Sequence, residues 1–194
     1  PWVLLKQSQI PFEEVMVRFD SFEAGSRFKA TILAVNPAGK VPALVDEGLV
    51  VSDTLAIAEY LAEQFPEKQL WPADKAARAR ARSVCADMHS GFTALRSHCP
   101  MIIEASLADT GALLWRDQPA LRTDVARLVA LWDGLLKTYG GPLLFGDFCI
   151  ADAYFAPVCM RLSTYALPVP PSIAAYVARV KALPSVKAWM DAAL

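Results

Sequence analysis

The chain has 194 residues, 55% of them hydrophobic, with 19 basic against 20 acidic side chains and a net charge of −1. That length supports one or two domains with a buried core. The balanced charge, without a long run of either sign, argues against nucleic acid or an anionic membrane as partner, and no apolar stretch approaches the ~20 residues of a membrane span, Asp152 interrupting the candidate CIADAYFAPVCM.

PWVLLKQSQ, at residues 1–9, reads as the body of a helix with no start signal before it. IPFEEVMVRF then alternates, with Val15, Val17 and Phe19 on one side and Glu14, Met16 and Arg18 on the other, as in a half-buried strand. A helix followed by a strand implies an earlier parallel strand in a right-handed βαβ unit, which is expected before Pro1. After an irregular link, VPALVD and LVV flank Glu47-Gly48, the pattern of a tight antiparallel hairpin. DTLAIAEYLAEQF places Ile57, Leu61 and Phe65 at i, i+4 and i+8, the stripe of an amphipathic helix.

PEKQLWPAD, residues 66–74, has two prolines and no periodicity and reads as a linker. The expected organisation is a mixed α/β domain over 1–65, that linker, and an all-helical domain over 75–194. Ala81, Cys85, Met88, Phe92 and Leu95 predict one helix over 75–98. A second helix, started near Pro119, buries Leu121, Val125, Leu128, Trp132 and Leu135 and stops at Gly140-Gly141-Pro142. Three shorter helices are expected around 150–165, 172–182 and 185–193. Cys85, Cys99, Cys149 and Cys159 lie far apart with only two histidines in the chain, which signals neither a metal site nor a disulfide framework; buried reduced thiols of a cytoplasmic protein are the plain reading.

NPAGKVPALVD, residues 36–46, sets Pro42 where a strand begins, and proline gives no N–H to a ladder. If the Val41–Pro42 peptide is cis, Val41 keeps its N–H and C=O facing outward, ready to pair with an extended peptide-like ligand; the plainer alternative is a proline that only starts a strand. Asp53 and Thr54 follow one hairpin later, at a helix start. There a carboxylate finds free N–H groups and a hydroxyl, and an ammonium finds the Asp53 anion. Ordinary N-capping is the plainer reading of that pair.

NPAGKVPAL, SDTLAIAEYLAE and GPLLFGDFCIADAYFAP, in this order and spacing, resemble the cytosolic glutathione S-transferases, specifically the bacterial type, over nearly the whole chain. The resemblance implies a thioredoxin-like N-terminal domain followed by an α-helical bundle, a cytoplasmic homodimer, glutathione as co-substrate and no metal. It implies that Val41, beside cis-Pro42, pairs with the cysteinyl backbone of glutathione, that Asp53 and Thr54 grip its γ-glutamyl group, and that Lys40 meets its glycyl carboxylate. It also puts the Ser, Tyr or Cys that stabilises the thiolate, most often serine in this branch, before Pro1. Two departures stand out: Thr54 replaces the usual serine, and Cys149-Ile150-Ala151-Asp152 replaces a Ser/Thr-x-x-Asp capping box, a thiol being a poor acceptor.

The implied reaction is attack of the glutathione thiolate on a small electrophile held between the two domains. Lowering a thiol pKa of ~8.5 by about two units needs roughly 2.7 kcal/mol. Arg82, His89 and Arg96 recur every seven residues with Phe92 nearby. His89, Phe92 and Arg96 are therefore the candidates for an electrophile site on one helical face, a solvated basic face being the alternative. Thiol-dependent isomerisation, reduction or dehalogenation, and binding without catalysis, remain alternatives to conjugation.

Overall fold

The computed structural model describes residues 1–21, 23 and 25–193; Leu194, the last residue of the expected helical half, lies outside them. The chain divides into two compact units, Pro1–Gln69 and a second beginning at Leu70.

The first unit runs α1 (Trp2–Gln7), α2 (Arg27–Val35), β1 (Ala43–Asp46), β2 (Leu49–Ser52) and α3 (Thr54–Gln64), ending in a 3-10 turn at Pro66–Lys68. Its hairpin turns at Glu47 and Gly48, both with positive φ (46° and 87°), the geometry that matches the twist of a two-residue turn. Ala43 faces Ser52 and Asp46 faces Leu49 across the antiparallel pair. Ile57, Ala58 and Leu61 of α3 are buried, as the spacing predicts.

Two expectations change here. The strand expected over 10–19 is not formed: the sheet found among the described residues joins β1 and β2, and Val15 and Phe19 are 77% and 56% exposed. Alternation marks a pleated face, but a strand exists only with a ladder partner. The irregular link, instead, contains α2, whose start is held from two sides. Ser26 Oγ accepts from the Lys29 N–H, and the Asp20 carboxylate accepts from Arg27 and Phe28.

The second unit is helical: α4 (Lys75–Ser90), α5 (Thr93–His98), α6 (Ala108–Asp117), α7 (Pro119–Tyr139), α8 (Ile150–Thr164), α9 (Pro171–Ala182) and α10 (Pro184–Asp191). Trp132 on α7 packs edge-on against Phe155 of α8 and Tyr176 of α9, at centroid distances of 5.3 and 4.8 Å. All three are fully buried. Leu70 and Trp71, in the segment read as a linker, are buried in this unit, and the Leu70 carbonyl accepts from Ile150 at the start of α8.

The single helix expected over 75–98 is two. α4 ends at Gly91, and Phe92 takes a left-handed conformation (φ 55°) before α5 begins. Phe92 and Leu95 remain buried, so the apolar spacing persists while the axis does not. α6 buries only its Gly111.

Candidate functional site

The segment from the end of α2 to β1 is fixed by one buried side chain. Asn36, 3% exposed, donates through Nδ2 to the Lys40 carbonyl at 2.7 Å and accepts at Oδ1 from the Ala38 N–H at 3.1 Å, while its own carbonyl accepts from Gly39. Lys29 Nζ donates to the Gly39 carbonyl at 3.2 Å. Gly39 sits at φ +63°, which favours glycine, and an added Cβ would come within 3.2 Å of Leu33 Cδ2, which would have to shift slightly to admit it. The loop is thereby tied before it reaches Val41. The Val41–Pro42 peptide is cis, and Val41 is 56% exposed.

The hairpin register completes the site. Because Ala43 lies opposite Ser52, the residues just outside that pair, Pro42 before β1 and Asp53 after β2, come together at one end of the sheet. Val41 and Thr54 are one step further on each side. Asp53 is the N-cap of α3: its Oδ1 accepts from the Leu55 N–H at 2.8 Å, at φ 79° and ψ 136°, a backbone conformation rare outside glycine. Thr54 opens the helix and is half-buried. Lys40 is exposed beside Val41. The register thus brings Pro42 and Asp53 to one end of the sheet, with Lys40 and Val41 preceding the one and Thr54, at the N-terminus of α3, following the other.

The residues expected to meet an electrophile are distributed differently. His89 lies exposed in the last turn of α4 and Arg96 on α5, beyond the break, so the common helical face expected for Arg82, His89 and Arg96 is interrupted. Phe92 is 2% exposed, with the Arg127 guanidinium 4.5 Å from its ring centre and Arg127 ion-paired to Asp87. Arg96 turns back on α4, donating to the Met88 carbonyl at 2.6 Å. It closes the C-terminus of α4, a position where a cation meets the negative end of the helix dipole.

The four cysteines are buried and none is in a disulfide. Burial raises the Cys99 thiol to about 11 even with the Arg161 cation nearby, and raises Cys149 and Cys159 well above the ordinary thiol range. These are protonated, inert side chains at neutral pH. Among the described residues no cluster of three or more His, Cys, Asp and Glu is placed to hold a metal, and no helix is long and apolar enough to cross a membrane.

Sequence reasoning missed Asn36, which reads locally as a turn residue; its role as the clamp of the loop depends on its burial. It also missed the positive φ of Asp53, for which no sequence signal exists.

Both units resemble known proteins. Residues 1–64 match the glutathione S-transferase N-terminal domain and residues 75–192 the glutathione S-transferase C-terminal domain. A probable maleylacetoacetate isomerase of Caenorhabditis elegans is 32% identical over 171 residues, 87% of this chain and 75% of that one. A zeta-class glutathione S-transferase of Euphorbia esula is 32% identical over 69% of this chain, which spans 58% of that relative's length. Among solved structures, a glutathione transferase homolog from a Burkholderia, strain BGR1, with bound glutathione superposes with a TM-score of 0.69 at 29% identity, covering 99% of this chain and 88% of that one. With both domains matched in order, and the fold shared over almost its full length, the chain belongs to the glutathione S-transferase family.

Proposed function

We propose that this chain binds glutathione along the exposed end of the hairpin and uses the tripeptide's thiolate to attack a small electrophile. The observation that carries this is the register of β1 and β2, which sets Val41 and cis-Pro42 beside Asp53 and Thr54. In this reading the Val41 N–H and C=O pair with the cysteinyl backbone as a short added strand. The Thr54 hydroxyl and the first N–H groups of α3 take the γ-glutamyl carboxylate, and Asp53 takes its ammonium. Lys40 meets the glycyl carboxylate. The homologous structure with bound glutathione supports the choice of ligand. His89 and Arg96, near the end of α4, are the proposed contacts for the electrophile, Arg96 supplying a cation that suits an anionic one; the buried ring of Phe92 backs that turn. A homodimer is the assembly proposed for the active protein.

In conjugation the sulfur lone pair forms an S–C bond while the leaving group departs with its bonding pair. A second reading is favoured by the match over 87% of the chain to the probable maleylacetoacetate isomerase. There the thiolate adds to a cis alkene conjugated to a carbonyl, the former double bond rotates, and the thiolate is expelled, so glutathione is recovered unchanged.

Incubating the protein with glutathione and, separately, an activated aryl halide and a cis-configured enone diacid, with products followed by NMR and mass spectrometry, tests both. A glutathione adduct of the aryl halide supports conjugation. Conversion of cis to trans without loss of glutathione supports isomerisation. Turnover of neither, above the uncatalysed rate, would overturn the enzyme reading.

A further inference from the structure

Two arginines close the ends of two successive helices in the helical unit. Arg96, on α5, donates through Nη2 to the Met88 and His89 carbonyls at 2.6 and 3.4 Å, at the C-terminus of α4. Arg161, in the last turn of α8, donates through Nη1 to the Cys99 carbonyl and, at 3.4 Å, to the Arg96 carbonyl, where α5 ends. Capping accounts for these bonds. It does not use the whole of either group.

Arg161 commits Nη1 alone. Its Nε and Nη2 lie along the other edge of the planar guanidinium, spaced to meet both oxygens of a carboxylate. The same edge does so elsewhere in this chain, where Arg116 Nε and Nη2 donate to the two oxygens of Asp117 at 2.6 and 2.7 Å. Among the described residues no carboxylate takes that place at Arg161 or pairs with Arg96. The titratable groups beside Arg161 supply no negative charge either. Burial raises the Cys99 thiol to about 11 and raises the Tyr165 phenol above its ordinary value, so both are protonated at pH 7. What Arg161 meets instead is a second cation: burial first, and then the Arg96 charge, hold it below the ordinary guanidinium range. Two like charges, one of them half-buried and both bonded to neutral groups, are stabilised by an oxyanion and not by an apolar guest.

We propose that Arg161 is a specificity-determining residue whose free edge takes a carboxylate of the electrophile, with the Arg96 cation completing the pair. This rests on the reading above that the end of α4 meets the electrophile, and it names the substrate class as electrophiles that carry a carboxylate. The carboxylate is the handle and not the reacting centre: the sulfur forms its S–C bond at the electrophilic carbon, and the leaving group departs from that carbon with its bonding pair.

The test is a matched pair, 4-chloro-3,5-dinitrobenzoate and its methyl ester, in which the glutathione thiolate displaces chloride from the same ring with and without a carboxylate. Each kcat/KM is divided by the uncatalysed rate constant. The wild type is expected to favour the acid, and Arg161→Gln to lower the acid-to-ester ratio about tenfold, through the KM of the acid, the effect of one partly exposed charged pair. Arg161→Lys, which keeps the charge and loses the fork, is expected to restore part of the ratio. Loss of capping alone would lower both substrates alike, so an unchanged ratio in Arg161→Gln would overturn the proposal, as would a wild type that prefers the ester. Calorimetry with 3,5-dinitrobenzoate, which has no leaving group, in saturating S-methyl glutathione separates this proposal from the enzyme reading. Binding that weakens about tenfold in Arg161→Gln supports the carboxylate site even where neither substrate is turned over, a result that would contradict the enzyme reading alone; absent or equal binding would overturn the site.

Discussion

Asp53 holds the least common backbone conformation of the candidate site, and such residues cost about 1–3 kcal/mol when they are not glycine. The chain accepts that strain at the point where the carboxylate caps α3 and the next residue offers a hydroxyl beside Val41 and cis-Pro42. If Thr54 accepts or donates a hydrogen bond to a charged group of glutathione, its loss costs about 1.5–3 kcal/mol. Thr54→Ala is therefore expected to weaken glutathione roughly ten- to hundredfold, and Thr54→Ser to keep the wild-type Kd; equal affinity in all three proteins, by calorimetry, would remove Thr54 from the site. Asp152 poses the opposite problem, a fully buried carboxylate. Burial raises it to about 6, against the N–H groups of Cys149 and Leu144 and the Tyr176 hydroxyl, which all donate to it and favour the anion. Its folded pKa thus exceeds the ordinary 3.8, so the protonated form is favoured on folding. The stability it lends is full below about pH 4 and is lost as pH rises through about 6, by about 3 kcal/mol. The stability gap between wild type and the non-titrating Asp152→Asn, from urea melts, is expected to narrow by that amount between pH 4 and 7. A constant gap would show that the native pKa is not raised.

At the scale of elements, close approach decides two cases. Gly111 of α6 lies against the carbonyl of Tyr165, and a Cβ there would sit 1.8 Å from that oxygen. The same helix entry is pinned by the Leu107 N–H donating to the Thr164 carbonyl at 2.7 Å. Gly111→Ala must push α6 off α8 and is expected to cost about 1–3 kcal/mol, read as a lower urea midpoint at unchanged m; an unaltered midpoint would mean that α6 yields freely. At the start of α8, Cys149 is the N-cap, and Asp152 three residues on accepts from its N–H at 3.1 Å, so half of a capping box is strong while the sulfur half is weak. Cys149→Ser is expected to add up to about 1 kcal/mol, with a lower Tm in the serine variant contradicting it. Local signals explain what was readable in the sequence. Glu47-Gly48 specified the hairpin, the Ile57 and Leu61 spacing specified α3, and Pro119 with Gly140 bounded α7. The break after α4 was hidden because the apolar spacing runs through it, Cys85 being buried before it and Phe92 and Leu95 after it. α2 and α6 were hidden because they bury little, the side chains of Phe28 and Ile32 in one and only the backbone at Gly111 in the other, and owe their places to caps and close contacts. The alternation of residues 10–19 was real as a pattern, but a pattern does not supply a pairing strand.

For the whole molecule, the two units divide the chemistry. The first carries every residue proposed to hold glutathione, on a hairpin and a helix start whose relation follows from register alone. The second is a helical body with a packed aromatic centre at Trp132, Phe155 and Tyr176, and it carries the Arg96 and Arg161 guanidiniums. Sequence motifs were enough to name the residues proposed to bind the peptide because each motif is local and ordered along the chain; the reaction was not legible, because conjugation and isomerisation would use the same thiolate and the same grip on the tripeptide. The claim common to both is that the protein binds glutathione and favours its thiolate, which is only a few per cent populated in a free thiol of pKa ~8.5 at pH 7. Calorimetric titration with reduced glutathione and with S-methyl glutathione, in buffers of different ionisation enthalpy near pH 7, measures this directly. The account predicts binding of both, with a proton released only by the thiol; binding of neither would contradict the glutathione site at Lys40, Val41, Asp53 and Thr54, and binding without proton release would contradict thiolate formation.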